Sequence, residues 1–265
     1  MIRILCMPTL CADVFEQTGE VLPGGEALNF AAHASKYPGI DVGLVGAIGD
    51  DEVGRHVLSA IEARPIDRAG VHVIPGGETA SHFISTDENG DRYFKPGAWH
   101  GGVYDAFRPD AADEALLQAA DMVFITYSAP CFPQVLALRK RSTFRLAVDF
   151  DVCRDLPGME AALPWVDFFL ISGDDAFLPV ARAWSERFSG LFNVTLAERG
   201  SVTYADGQEY RVPAVPVEKV VDTTGCGDSY HAGFLCAYLQ SGDIPSAMDE
   251  GSRVASGTLA HTGGF

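Results

Sequence analysis

The sequence VVDTTGCGDSYHAGF, residues 220–234, places two glycines around Cys226 and an acid, Asp228, directly after them. Asp228 and Ser229 are residue types that cap helices, and apolar side chains follow them at helical spacing. The stretch therefore predicts the start of a helix. Glycines at a helix start let successive backbone N–H groups converge, and the helix dipole adds positive potential at the same place. We expect an anion to bind there.

Asp228 itself would be a poor ligand for a bound phosphate, because two negative charges repel each other. A carboxylate beside such a turn can instead accept the proton of a hydroxyl that attacks a γ-phosphate, while the amides stabilise the transferred group. The alternative is that Asp228 only caps the helix, since glycine-rich turns precede many helices. None of the four lysines, Lys36, Lys95, Lys140 and Lys219, lies in a GxxxxGK[ST] pattern. If the chain transfers phosphate, backbone amides must therefore bind it in place of a P-loop lysine.

Short apolar runs alternate along the chain with segments that are long enough for helices. This alternation predicts an α/β fold with a mainly parallel central sheet and helices on both faces. The runs are IRILCM (2–7), VGLVGAI (42–48), MVFITY (122–127), RLAVDFD (145–151), DFFLIS (167–172) and LFNVTLA (191–197).

Two segments break this rhythm, because each alternates polar and apolar residues around a turn dipeptide. Residues 81–97 alternate around Asn89-Gly90, and residues 201–213 alternate around Asp206-Gly207. Both dipeptides are strong hairpin signals. We expect the first hairpin to form a small sheet that stands off the main body as a lid, and the second to form an antiparallel edge of the large sheet.

The composition excludes several classes of protein. A chain of 265 residues that is 47% hydrophobic can bury a substantial core. Its net charge of −17 argues against nucleic acid or an anionic membrane surface as a partner, because the long-range field would repel both. No apolar run approaches the length of a membrane span, so we expect a cytoplasmic protein.

Two motifs resemble one enzyme family. DTTGCGDSYHAGF (222–234) resembles the DTxGxGDxFxAGF signature of the ribokinase-like (PfkB) carbohydrate kinases. Residues 23–57, which begin PGGEALNFAAHA, resemble the same family's GGxxxNxA segment. The resemblance extends from Asp13 to the C-terminal ASGTLAHTGGF. It implies a three-layer ribokinase-like domain over residues 1–265, with a lid formed by roughly 12–23 and 78–100.

The resemblance also implies the roles of residues at the acceptor. Asp228 would be the general base, and Gly225, Cys226 and Gly227 would form the anion hole. Asp13, at the end of the first strand, and Asn29, near the start of a helix, would hydrogen-bond sugar hydroxyls. Without the resemblance, Asp13 could be a turn residue and Asn29 a helix surface residue. The residues implied to line the sugar pocket are Asp13, Gly24, Gly25 and Asn29.

ATP and Mg²⁺ are the implied cofactors. VTLAERGSVTY (194–204) resembles the family's turn beside ATP, although Ala197 replaces the usual glycine. In place of the family's NxxE motif, ISGDDAF (171–177) offers Asp175, which could contact Mg²⁺ through water. Asp222 would help to bind a monovalent cation such as K⁺, or would only end a strand. The implied nucleotide-binding residues are Thr195, Gly200, Thr223, Gly225, Gly227, Ser252 and Ser256.

Within the family, the short chain and its GGF ending are most similar to the fructoselysine 6-kinases. The resemblance implies ATP-dependent phosphorylation of a primary hydroxyl, O6 of fructoselysine or another fructosamine. Glu26 and Arg92 could meet the amine and the carboxylate of such a substrate, or could be solvated surface charges. The alternatives are a kinase for another sugar, a nucleoside or a keto-acid sugar, and a catalytically silent sugar-binding regulator. An exposed lid edge also predicts a homodimer.

Overall fold

A nine-stranded sheet forms the centre of the computed structural model, which describes residues 1–86, 92–93 and 95–265. The strands from β12 to β5 pair in parallel, and each predicted apolar run contributes one of the strands of this parallel part. The prediction of a mainly parallel sheet is therefore confirmed. From one edge to the other the strands are β14 (Gln208–Val212), β13 (Ser201–Ala205), β12 (Leu191–Thr195), β11 (Phe168–Ser172), β10 (Arg145–Asp149), β9 (Met122–Thr126), β1 (Ile2–Met7), β4 (Ile40–Gly49) and β5 (Ile66–Ile74).

Strand β5 was not predicted from the sequence. It lies at the edge of the sheet, and its residues 67–69 are exposed between the buried Ile66 and Gly70, so no apolar run marks it. Arg3 on β1 holds this edge by contacting two carboxylates, Asp41 at 2.8 Å and Asp67. Because charged residues occupy exposed positions of this edge strand, its sequence lacks the apolar periodicity by which a strand is recognised.

The second predicted hairpin forms the antiparallel edge that the sequence indicated. Strands β13 and β14 pair antiparallel, and β13 pairs antiparallel with β12. Asp206 and Gly207 connect them with φ values of 50° and 76°, both in the left-handed region. Two left-handed residues in succession define the type I′ turn that an Asp-Gly dipeptide favours.

A smaller sheet stands beside the large one and contains the segments predicted for the lid. Its order is β3-β2-β6-β7, and β8 also pairs with β6, on the edge opposite β2. The β2–β6 pairing is parallel and the others are antiparallel. The Asn89-Gly90 turn lies outside the described residues. The strands are β2 (Cys11–Phe15), β3 (Glu20–Gly24), β6 (Ala80–Thr86), β7 (Arg92–Tyr93) and β8 (Trp99–His100).

Helices cover both faces of the large sheet, which confirms three layers. Residues of α4, α5 and α7 pack into one buried cluster, and residues of α1, α8 and α9 pack into the other. Within the described ranges, no helix is both long and apolar enough to cross a membrane. The helices are α1 (Glu26–Ala34), α2 (Glu52–Glu62), α3 (Gly102–Ala106), α4 (Ala111–Ala119), α5 (Phe132–Arg139), α6 (Leu156–Ala162), α7 (Leu178–Ser185), α8 (Cys226–Ser241) and α9 (Ile244–Thr258).

Candidate active site

Helix α8 begins at Cys226, three residues earlier than a cap at Asp228 would place its start. Gly225 is the N-cap residue, with φ 67°, so the placement of the cap at Asp228 and Ser229 is wrong. Glycine adopts a left-handed conformation without steric cost, which lets the chain turn into the helix here. Asp228 lies in the first turn. The first amides of a helix have no intrahelical acceptor, so the geometry of this turn suits an anion, and anion binding here stays a prediction.

Asp228 is buried beside this turn and has one strong hydrogen-bond partner. Asn29 Nδ2 donates to Asp228 Oδ2 at 2.8 Å, across 199 residues of sequence. Burial holds the pKa of Asp228 well above its usual range, and the charges of Glu26, Asp149 and Asp13 reinforce that shift, whereas the Asn29 hydrogen bond opposes it. A carboxyl with a raised pKa is a better proton acceptor than an exposed aspartate.

Two cavities meet at the start of α8. One has a volume of about 670 Å³ and is bounded by β12, the 3₁₀ turn Ala197–Arg199 and α9. The other has a volume of about 620 Å³ and lies among β2, β6, α1 and the carboxyl end of β10. Thr223, Cys226 and Gly227 line both cavities. A phosphoryl group in the first cavity can therefore reach an acceptor in the second across one turn of backbone.

The first cavity brings together the residues expected to bind the nucleotide. Ala197, which replaces a glycine of the family pattern, adopts φ 52°, so the turn keeps the left-handed conformation that a glycine would favour. Gly225 lines only the second cavity. The predicted nucleotide-binding residues that line the first cavity are Thr195, Gly200, Thr223, Gly227, Ser252 and Ser256.

The second cavity brings together most of the residues expected to bind the sugar. Asp13, Gly25, Glu26 and Asn29 line it, as do all four residues of the predicted catalytic turn. Gly24 is not among the lining residues, but a β-carbon at Gly24 would lie 2.5 Å from Asp13 Oδ2. Gly24 therefore leaves room for the Asp13 carboxylate. We call the second cavity the acceptor cavity.

Asp13 does not lie at the end of the first strand, as the sequence suggested. Strand β1 ends at Met7, and Asp13 lies in the middle of β2 in the small sheet, opposite Leu22 and His82. Pro8 marks a break in the stretch MIRILCMPTLCAD, but it does not indicate that the chain then enters a second sheet. Asp13 is nevertheless 6% exposed and faces the acceptor cavity.

The two predicted metal residues lie outside both cavities. Asp175 is exposed, and its Oδ2 contacts Arg199 Nη1 at 2.7 Å. Asp222 is buried, and its carboxylate accepts hydrogen bonds from Thr224 N, Thr224 Oγ1 and Gly263 N at 2.8–3.0 Å. It therefore organises the loop before α8. Arg92 belongs to β7, but its side chain lies outside the described residues.

The polar residues of the acceptor cavity that were not predicted include Asp149, Asp151 and His231. The two acids follow the apolar part of β10, and the carboxyl ends of parallel strands meet at the edge where ligands bind. That signal could have identified them. His231 lies three residues after Asp228, on the same face of α8. Its Nδ1 is 3.1 Å from Asp149 Oδ2, and both side chains are buried.

The acceptor cavity is strongly acidic. Six carboxylates line it, and none of the described residues that line it is a lysine or an arginine. Burial raises the pKa of Glu26 and of Asp151, and the charge of Asp149 raises both further. Groups that raise one another's pKa in this way favour the entry of a cation. The six are Asp13, Glu26, Asp105, Asp149, Asp151 and Asp228.

The raised pKa of Asp228 predicts an unusual acid limit for activity. A general base at Asp228 would have to be deprotonated, so with Asp228 in that role kcat/KM should be retained above the pKa of Asp228 and lost as pH falls through it. We expect this acid limb at higher pH than for an exposed aspartate. Asn29→Ala should move it further upward, because the Asn29 hydrogen bond lowers this pKa. Steady-state rates measured across pH would contradict the assignment if the limb stayed unchanged in that variant.

Comparisons with known proteins agree with this geometry. A family profile described as pfkB family carbohydrate kinase matches residues 12–149 and 178–264. Fructoselysine 6-kinase from Shigella flexneri is 32% identical over 261 residues, covering 96% of each chain. An ATP-dependent ribose-1-phosphate kinase from Halopiger xanaduensis is 27% identical over 91% of this chain and 81% of its own. An Escherichia coli structure solved with ATP and Mg²⁺ superposes with a TM-score of 0.84 at 17% identity, covering 100% and 94%.

The chain therefore belongs to the pfkB family of carbohydrate kinases, and it is an ATP-dependent phosphotransferase. The structural likeness at 17% identity establishes the ribokinase-like fold. The family match covers most residues of both cavities, from β2 to the residues that follow α9, but leaves out some, Asp151 and Ser172 among them.

Proposed function

We propose that the protein phosphorylates a fructosamine, such as fructoselysine, at the primary hydroxyl O6. The observation that carries this proposal is the acidic lining of the acceptor cavity. A fructosamine carries a protonated amine next to its sugar, and an excess of carboxylates attracts a cation and orients it. The fructoselysine 6-kinases to which the chain is 31–32% identical support the same substrate class.

Other acceptors fit the cavity less well. A sugar phosphate would place an anion among six carboxylates, which disfavours the ribose-1-phosphate kinase activity of the Halopiger relative. A keto-acid sugar has the same difficulty. A nucleoside or a hexose carries no cation that would compensate the negative charge of the lining. Fructoselysine also carries a carboxylate, but its two protonated amines leave a net positive charge that complements the lining.

The chemical step follows from the positions of Asp228 and the turn at Gly225. The acceptor hydroxyl attacks the γ-phosphorus, the bond from that phosphorus to the β–γ bridging oxygen breaks, and ADP leaves. The hydroxyl proton passes to the Asp228 carboxylate. The amides at the start of α8 bind the oxygens of the transferred group, so that negative charge is stabilised where it develops. No lysine is needed in the turn.

Mg²⁺ is the expected companion of ATP, and the oxygens near the turn fit it. Asp149 and Asp151 lie at the carboxyl end of β10 in the acceptor cavity, and Asp151 N donates to Asp149 Oδ1 at 2.8 Å. Carboxylate oxygens are suited to a hydrated Mg²⁺, which would neutralise phosphate charge. Water-mediated contact from Asp175 and a monovalent cation at Asp222 stay predictions.

The small sheet provides one wall of the acceptor cavity. His82 and Ile84 of β6 and Trp99 of β8 line it. We propose that this sheet acts as the lid over the bound acceptor, so that water is kept from the transferred group. Recognition of the acceptor by Arg92, pairing of two lids in a homodimer and a cytoplasmic location stay predictions.

A panel of acceptors tests the proposed substrate class. We expect kcat/KM for fructoselysine to exceed that for fructose on the order of 10- to 100-fold, because one charge-assisted hydrogen bond is worth that selectivity. ADP release would be measured with fructoselysine, fructose, ribose, a nucleoside and a keto-acid sugar. Phosphorus NMR of the product would locate the phosphate. Equal or higher efficiency with fructose would refute a fructosamine substrate.

Glu26→Gln tests whether the Glu26 carboxylate recognises the protonated amine of the substrate. The preference for fructoselysine over fructose should shrink roughly tenfold, because the variant keeps the size of Glu26 but loses its charge. Glu52→Gln is the matched control, since Glu52 also lies in the first turn of a helix but is exposed and away from the cavity. If Glu26→Gln left the preference for fructoselysine over fructose unchanged, Glu26 would not recognise the amine, and other acids of the cavity would have to do so.

A further inference from the structure

Gly264 lies between two parts of the active site that are distant in sequence. A β-carbon at Gly264 would be 2.4 Å from Asn29 Oδ1 and 2.7 Å from Asn29 Nδ2. On the other side, a β-carbon at Gly225 would be 2.6 Å from Gly264 Cα. The backbone of Gly264 thus fills the space between the Asn29 amide and the N-cap of α8, and any larger residue would have to displace one of them.

The Asn29 amide depends on this contact because only one of its ends is hydrogen-bonded. Asn29 Nδ2 donates to Asp228, whereas the buried Oδ1 has no hydrogen-bond partner among the described residues. Close contact with Gly264 therefore helps to limit the movement of the oxygen end. If that end moved, the donor would also leave the Asp228 carboxylate, since the amide is planar.

The residues around Gly264 are fixed from both sides. Gly263 N donates to Asp222 Oδ2 at 2.8 Å, which ties the segment to the loop before α8. His33 Nε2 donates to Gly264 O at 2.8 Å, which ties it to α1. Burial lowers the pKa of His33 to about 4, so the ring is neutral near pH 7. The Arg64 guanidinium lies 4.3 Å from the centre of the Phe265 ring.

We propose that residues 263–265 are a positioning element for phosphoryl transfer, in which Gly264 holds the Asn29 amide against the Asp228 carboxylate. The inference rests on Asp228 as the base in the proposed function. Asn29 comes from α1 and Asp228 from α8, and the segment contacts both α1 and the loop before α8. The segment 263–265 thereby fixes the position of the Asp228 carboxylate relative to the turn at Gly225.

Gly264→Ala tests this role. The added methyl overlaps the Asn29 amide, and we expect kcat to fall on the order of 10- to 100-fold, the scale of a displacement of about 1 Å at a reacting group. KM for ATP should stay within about twofold, because the residues of the nucleotide cavity are not touched. Gly257→Ala is the control, since a β-carbon on that residue of α9 meets nothing within 4 Å.

A double variant separates positioning from general damage. If Gly264 acts through Asn29, then Gly264→Ala should reduce kcat no further in an Asn29→Ala background, whereas independent effects would multiply. A multiplied loss, or a kcat of Gly264→Ala within about twofold of the unchanged protein, would overturn the proposal. If Gly264→Ala does not fold, His33→Ala decides, because it removes the hydrogen bond to Gly264 O and adds no atoms beside Asn29. A lower kcat would then support the role, and an unchanged kcat would overturn it.

Failure of this inference can be told from failure of the proposed function. Loss of turnover in Asp228→Asn together with normal turnover in Gly264→Ala would remove the positioning role alone. Normal turnover in Asp228→Asn would remove the base, and with it the role of the segment.

Discussion

Asp228→Asn should reduce kcat by about 10²- to 10⁴-fold, the range expected when a positioned proton acceptor is lost. The change keeps the size of the side chain and removes its ability to take the hydroxyl proton. ATP binding should change little, because the nucleotide cavity is lined by other residues and loses no contact. Single-turnover phosphoryl transfer and ATP titration by calorimetry would measure the two effects separately.

The same titration provides the control for folding, since a variant that binds ATP with an unchanged dissociation constant has kept the turn at Gly225. A neutral side chain at position 228 also relieves repulsion from Glu26 and Asp149, so the melting temperature should not fall. Asp228 would not be the base if Asp228→Asn turned over the acceptor at the rate of the unchanged protein.

Gly225→Ala should lower kcat on the order of 10²-fold, the loss expected when a donor of an anion hole is displaced. Gly225 has φ 67°, where an L-residue with a side chain is strained by about 1–2 kcal/mol. The new methyl would also lie 2.6 Å from Gly264 Cα, so the turn must move away from the segment behind it. Rates with saturating ATP and acceptor would show the loss.

Gly242→Ala is the matched control, because it separates backbone strain from displacement of the turn. Gly242 caps the other end of α8 with φ 71°, and a β-carbon there meets nothing within 4 Å. Both variants should lower the melting temperature, and only Gly225→Ala should lower kcat. Equal kcat values in the two variants would mean that the close packing at Gly225 has no part in catalysis.

Most of the large sheet could be predicted from the sequence, because its central strands are buried on both faces and form continuous apolar runs. The Asp206-Gly207 turn was equally clear, since its residue types match the left-handed conformations that the turn requires. Strand β5 escaped recognition because its exposed Asp67 and Arg68 interrupt the pattern. The position of Asp13 was missed because no local signal marks the change from one sheet to the other.

The candidate site could be predicted where its residues lie in one stretch of sequence, as at Gly225 and Asp228. It could not be predicted where the chemistry arises from distant segments. Asp149 and His231 form a buried pair across 82 residues, and nothing local to either one indicates the other. The contact between Asn29 and Gly264 likewise depends on close packing of backbone, which composition and spacing do not encode.

The wall of Thr223, Cys226 and Gly227 that the two cavities share has a consequence for inhibition. A bisubstrate compound, in which a polyphosphate tether joins adenosine to an aminated sugar, can occupy both compartments at once. It would lose its translational freedom once rather than twice, so its affinity should exceed that of either half by far more than the contacts of the tether. The compound that binds most tightly would have a tether as long as the path that the phosphoryl group takes from the nucleotide cavity to the acceptor cavity.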